Sequence, residues 1–273
     1  MHPITINDFK KIIWQHYSAH GRLFDWRGVD DPYKVFISEV MLQQTQTARV
    51  AIKYLEFIAR FPDFNALASA PLKDVLLAWQ GMGYNRRGMY LHRAAQTIMQ
   101  DHRGILPNDP EILDALPGIG AATASSICAF AFNRPTIFIE TNIRAVFIHF
   151  YFHGREKVHD KEIMPLIEVA VDHDNPREWY YALMDYGVLL KKSLVNPSRK
   201  SAHHAKQSKF EDSDRQIRGM ILKVLTNLSE PIMQEKIMGM INKDQPRVLK
   251  ILNQMIKEEF VQSCDGALSI RDK

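Results

Sequence analysis

The sequence predicts an all-α protein ending in a small winged-helix-like module, and three observations carry that expectation. Apolar residues recur at helical rather than alternating spacing along most of the chain. A glycine pair, Gly118 and Gly120, opens the small-residue run "AATASSICAFAF", which suits a helix packed at close range. Near the end, three helical segments precede two short β-like runs around Asp265-Gly266, a hairpin signal.

Residues 6–17 carry Phe9, Ile12, Ile13 and Tyr17 near helical spacing. Asp31-Pro32 joins a capping acid to a proline suited to a first helical turn. It leads into "YKVFISEVMLQQTQTARVAIKYLEFIARF", read as a long, mostly apolar helix bearing Glu39, with Gln43 one turn later and Gln44 and Thr45 beside it. Two short helices, "FNALASA" and "LKDVLLAWQ", precede the break "GMGYNRRG". "MYLHRAAQTIMQDH" is helical again, and "ILPNDPEILDAL" holds a proline break and a short helix. Beyond the glycine turn, "RPTIFIE" is an apolar, strand-like stretch, and "DKEIMPLIEVAVDH" and "NPREWYYALMDYGVLLKK" read as helices. Residues 193–213 form a polar linker, followed by helices at about 214–225, 232–241 and 246–259 and then the hairpin.

With 273 residues the chain is long enough for one large or two modest domains. No run approaches the roughly 18 apolar residues of a membrane span, and the first residues lack a secretory h-region. A cytoplasmic protein is expected, nucleoid-associated if prokaryotic. The two cysteines, Cys128 and Cys264, lie far apart, which excludes a disulfide framework or an all-cysteine metal site. Net charge is only +4. From Lys191 to Arg218, however, eight Lys and Arg face three acids, so this segment is either a solvated linker or a surface that tracks phosphates.

In "LPGIGAATAS" the turn exposes consecutive backbone N–H groups, and the helix beginning near Ala121 aims its positive end the same way. Such a nest binds a phosphate without side-chain charge, and the stretch resembles the helix-hairpin-helix element of DNA repair proteins. Glu140 lies some twenty residues past that turn, beside Thr141 and Asn142. Taken alone it is a helix N-terminal acid favoured by the dipole. With the hairpin upstream, the layout resembles the helix-hairpin-helix–Gly/Pro…Asp arrangement of base-excision DNA glycosylases. "PYKVFISEVMLQQTQ" closely resembles the matching stretch of MutY-type adenine DNA glycosylases. "HGRLFDWR", "FPDFNALASAPLKDVLLAWQGMGYNRRG" and "YYALMDYG" fit the same family. The resemblance spans residues 6–187, about two-thirds of the chain.

The resemblance implies a two-lobed helix-hairpin-helix DNA glycosylase fold. Its core would occupy residues 1–192, with a six-helix lobe at about 27–134 and a second lobe from 1–26 plus 135–192. A basic linker, 193–213, and a winged-helix-like domain, 214–273, would follow. It implies double-stranded DNA with a mismatched or damaged base as partner, a monomer, no membrane, and extrusion of the target base into a pocket. Glu39 would be the acid that protonates the leaving base, its pKa raised by desolvation, and Glu140 the ionised partner near the sugar. DNA contacts are expected from Gln43, Gln44, Thr45, Tyr84, Asn85, Arg86, Arg87, Gly118, Gly120, Ala121, Ala122 and Asn142. Gln44 and Thr45 would face the opposing base, Arg86 and Arg87 phosphates, and Met82, Tyr84 or Asn85 would wedge into the stack.

Four features depart from the family. Its catalytic aspartate is glutamate here. The four cysteines that hold an iron–sulfur cluster after "MDYG" are missing, so no cofactor and no metal is expected, and the basic segment takes that DNA-facing place. Ala122 stands where strand-cleaving relatives carry lysine, which predicts a monofunctional enzyme. The C-terminus is winged-helix-like instead of the domain that reads 8-oxoguanine, and Asn85 replaces a common second tyrosine. The preferred reading is removal of adenine opposite guanine or 8-oxoguanine. The alternatives are a thymine or uracil mismatch glycosylase and a non-catalytic DNA-binding protein. Arg247 and Lys250 are the candidate recognition-helix residues of the C-terminal module, whose bland alternative is an extension packed on the core.

Overall fold

A computed structural model describes residues 4–205 and 209–271 of the protein. Helix α1 (Ile6–His20) starts on Thr5, whose hydroxyl accepts from the Asp8 amide. Helix α2 (Pro32–Leu42) is followed by α3 (Thr47–Arg60), α4 (Phe64–Ser69), α5 (Leu72–Ala78) and α6 (Arg86–Asp101). Then come α7 (Pro110–Asp114), started by Asp109 and Pro110, and α8 (Ala121–Phe132), which stops at Asn133 in the left-handed region. Helices α9 (Thr141–Tyr151), α10 (Asp160–Ala170) and α11 (Pro176–Ser193) complete the part before the basic segment. After it come α12 (Asp214–Asn227), β1 (Ile232–Met233), α13 (Gln234–Met240), α14 (Gln245–Lys257), β2 (Val261–Cys264) and β3 (Ala267–Ile270).

The long helix expected through residues 33–61 is two helices. Gln44 adopts φ 53°, and the carbonyls of Val40 and Met41, which would have continued the helical ladder, instead accept from the Arg87 guanidinium at 3.0 Å each. The strand-like "RPTIFIE" forms no strand: residues 133–140 are irregular, and Tyr180 Oη donates to one of their carbonyls, that of Thr136, at 2.6 Å.

The chain divides into two compact units, drawn differently from the expected lobes. The first comprises Met1–Glu39, Pro107–Ala115 and Ile119–Lys206. Its core is aromatic: Phe9 meets Phe147 and Trp179, and Phe130 stacks on Tyr181 with ring centroids 4.6 Å apart. Asp185, buried in α11, accepts from Arg22 and Arg27 at 2.6–2.9 Å, so "HGRLFDWR" and "MDYG" are two halves of one ion cluster. Part of the expected linker belongs to this unit. Pro197, Ser198 and Ser201 are buried, and Ser201 forms a parallel bridge with Val158, so residues 197–201 are packed chain and no solvated tether.

The second unit comprises Val40–Leu106, Leu116–Gly118 and Gln207–Lys273. Here β1, β3 and β2 form an antiparallel sheet in that order, with Val261 opposite Ile270 and Ile232 opposite Leu268. The order helix, strand, two helices, two strands is that of a winged helix, and β1 is a strand that the sequence pattern does not announce. The C-terminal elements share one hydrophobic core with α5 and α6: Leu72, Leu76 and Met89 pack with Ile217, Ile221 and Leu252. Of the two recognition-helix candidates, Arg247 is engaged by Asp212 and Asp214, whereas Lys250 is exposed.

Candidate active site

Both carboxylates singled out in the sequence lie in the first unit. Glu39 sits one turn before the end of α2 and is mostly buried. Ser126 of α8 donates to its Oε2 at 2.6 Å. Burial, reinforced by the charge of Glu140 and opposed by Ser126 and Arg27, pushes the Glu39 pKa up to about 7. The Ser126 hydroxyl has a second acceptor 3.0 Å away, the Thr123 carbonyl, so it keeps a partner when Glu39 is protonated. A carboxylic acid poised near neutral pH, on a helix whose Val35, Phe36 and Ile37 are all buried, is suited to proton donation.

Glu140 is the N-cap of α9. Its Oε1 accepts from the backbone N–H of Asn142 at 2.7 Å and of Ile143 at 2.8 Å, while Asn142 Nδ2 donates to Oε2 at 3.2 Å. The capping role anticipated for a helix N-terminal acid is therefore what the geometry shows, and it also fixes the carboxylate. Asn142, expected at DNA, faces Glu140 and Lys191. Three neighbours of the carboxylates escaped sequence reading: Ser126, Arg27 and Lys191. Ser126 left a signal as a small residue on the helix read as closely packed, and Arg27 as part of "HGRLFDWR", whereas Lys191 showed only as one charge in a basic run.

The remaining candidates at residues 43–45 and 82–87 belong to the second unit. Gln44 is exposed in its left-handed turn, and Gln43 Nε2 donates to the Gly118 carbonyl at 3.3 Å. Thr45 Oγ1 accepts from Arg87 at 2.8 Å. Met82 is buried. Tyr84 has φ 48°, and its hydroxyl accepts from Arg215 of α12 at 2.9 Å. Asn85 precedes α6 without a capping bond from its side chain. Arg86 and Arg87 open α6, and both have partners within the protein. Arg86 is paired with Glu258, which also receives Arg218. Arg87 serves five acceptors in the carbonyls of Val40, Met41, Met82 and Gly83 and the Thr45 hydroxyl, and burial lowers its pKa to about 10.

The two hairpin glycines differ. Gly118 has φ 76°, and a Cβ there would stand 2.6 Å from Tyr90 Cβ, so the chain itself demands glycine. Gly120 has φ −114°, open to any residue, and its missing Cβ faces open space. Ala121 and Ala122 are exposed in the first turn of α8.

A four-cysteine iron–sulfur cluster does not fit this chain, because Cys128 and Cys264 are its only two thiols and they fall in different units. Among the described residues no group of three His, Cys, Asp or Glu is placed to hold a metal ion.

The profile of the HhH-GPD superfamily base excision DNA repair protein matches residues 37–171. The adenine DNA glycosylase of Mycobacterium tuberculosis (strain ATCC 25618 / H37Rv) is 31% identical over 252 residues, 84% of this chain and 82% of that protein. The chain therefore belongs to the HhH-GPD superfamily of base excision DNA repair proteins. Among solved structures, a thermostable thymine-DNA glycosylase matches 67% of this chain and 88% of its own at TM-score 0.59 and 22% identity. A non-covalent Endonuclease III–DNA complex matches 68% and 86% at TM-score 0.55 and 16% identity. These two likenesses show the fold. The adenine DNA glycosylase of Buchnera aphidicola subsp. Baizongia pistaciae is 35% identical over 178 residues, 65% of this chain and 50% of that protein. The chain thus spans about half the length of that relative, and within the superfamily it is of the MutY type.

Proposed function

We propose that the protein is a monofunctional DNA glycosylase that removes mispaired adenine from double-stranded DNA by hydrolysis of the N-glycosidic bond. The observation that carries this reading is Glu39, a carboxyl with its pKa near 7 that feels the charge of a second, backbone-held carboxylate, Glu140. The likeness to adenine DNA glycosylases supports the choice of base.

In the proposed reaction the adenine is swung out of the duplex, and Glu39 gives its proton to a ring nitrogen as the C1′–N bond breaks. The bonding pair leaves with the base. Glu140, fixed by the α9 N-terminus, opposes the positive charge left on the sugar until water adds at C1′ and passes its proton to the surrounding solvent. Ala122 offers no amine for a covalent intermediate at that position, which supports hydrolysis without strand cleavage. The open space at Gly120 and the α8 N-terminus suit a DNA phosphate. Exposed Gln44 suits contact with the opposing base, guanine or 8-oxoguanine. The enzyme is taken to act as a monomer in the compartment that holds the DNA.

The test is single-turnover excision on duplexes bearing adenine opposite guanine, 8-oxoguanine or cytosine, and thymine or uracil opposite guanine. Strand breakage only after alkali, confined to adenine, is the expected result. Excision of thymine or uracil instead, or tight binding without excision anywhere, overturns the reading.

A further inference from the structure

Glu140 is held by Asn142, and Asn142 is in turn held from the far side. Lys191, in the last turn of α11, donates from Nζ to Asn142 Oδ1 at 2.7 Å. The approach is made possible one turn earlier by Gly187. A Cβ at Gly187 would lie 2.6 Å from both the Cβ and the carbonyl oxygen of Asn142, so only glycine lets α11 abut the start of α9. The other cation near this point, Arg144, is engaged in a two-pronged pair with Asp160 at 2.7 Å. Lys191 is partly buried, and burial lowers its pKa while Glu140 opposes that shift.

A side-chain amide has two ends, and its orientation here follows from chemistry. An ammonium can only donate and a carboxylate can only accept. An amide bridging them has one satisfied orientation, with oxygen toward Lys191 and nitrogen toward Glu140. Reversed, it would set oxygen against carboxylate oxygen and N–H against ammonium. With the cation in place, both Glu140 oxygens keep donors, which confines a side chain one methylene longer than the family's aspartate.

We propose that Lys191 is a positioning residue for Glu140, acting through Asn142, whose amide it locks with nitrogen toward the carboxylate. The inference rests on the proposed role of Glu140 at the sugar. Loss of the ammonium frees the amide to turn and releases Glu140 Oε2, which costs rate without costing DNA affinity.

The experiment compares Lys191→Met with the unaltered protein in single-turnover excision and duplex binding. The expected result is a rate about tenfold lower or more with Kd unchanged. In an Asn142→Ala background, Lys191→Met should have little further effect, because the path from Lys191 to Glu140 is already cut. Rescue comes from Lys191→Cys in a Cys128→Ala, Cys264→Ser background, where alkylation with bromoethylamine rebuilds an ammonium of nearly the same length and restores the rate. A readout independent of turnover is the Asn142 side-chain amide in ¹⁵N spectra, with hindered rotation in the unaltered protein and free rotation in Lys191→Met. If the unaltered protein excises no adenine but the amide is locked by Lys191, the functional reading fails and the positioning stands. A rate within twofold of normal, an equal loss in the Asn142→Ala background, or a loss confined to Kd overturns the positioning role.

Discussion

Around the residues singled out for function, the two units use charge differently. In the first, a few polar groups converge on two carboxylates, and each has a distinct role. Ser126 donates to Glu39, the α9 N-terminus and Asn142 hold Glu140, and Lys191 holds Asn142. In the second, the cations that a sequence reader assigns to DNA are engaged within the protein. Arg87 ties the end of α2 to the loop before α6, Arg86 and Arg218 share Glu258, and Arg215 holds Tyr84. A basic residue beside a glycine-rich loop is therefore no evidence of phosphate binding until its partners are known, whereas a mostly buried acid with a single hydroxyl donor does suggest chemistry.

The contrast can be broken most severely at the carboxylates. Glu140→Gln is expected to lower single-turnover excision by about a thousandfold or more with duplex binding kept; a mild loss would leave Glu140 as a helix cap only. At Glu39 the same shift that prepares the acid costs stability. Its folded pKa is raised from 4.5 to about 7, so the folded state holds the proton more tightly, and stability falls as pH rises between those values. Glu39→Gln is then expected to stabilise the protein by up to about 3 kcal/mol at pH 8 and not at all at pH 4, read from denaturant melts at the two pH values.

In the second unit the effects should be structural. Arg87→Met removes donors from five acceptors and should cost about 3 kcal/mol of stability in urea melts. Arg215→Met, which removes one donor from the Tyr84 hydroxyl, should cost about 1 kcal/mol. Arg86→Ala breaks a pair whose arginine is half-exposed, and Glu258 keeps Arg218, so it should cost less still. If Arg87→Met is instead fully stable and weakens DNA binding with a reduced salt dependence, Arg87 is a phosphate ligand after all.

Local signals in the sequence are good guides to local structure. Asp31-Pro32, Asp109-Pro110 and the Asp265-Gly266 turn all mark element boundaries where the structure puts them. Glu39 and Glu140 are legible through the strings around them, and their environment follows from burial and a helix start. What the sequence hides depends on distant partners. Nothing near Gln44 announces that Arg87, more than forty residues later, will take the carbonyls of Val40 and Met41 and end the helix there. Residues 197–201 look like a tether until Val158 pairs with Ser201. Lys191 reads as one more charge in a basic run, and only the approach allowed by Gly187 gives it Asn142 as a partner. The strand β1 is two residues long, too short for an alternating pattern.

The most direct test is the pH dependence of single-turnover adenine excision. With Glu39 as the acid, the rate should be level below about pH 6 and fall roughly tenfold per pH unit above 7, and the residual rate of Glu39→Gln should show no such fall. A rate that holds level to pH 9 in the unaltered protein would contradict the assignment of Glu39 as proton donor.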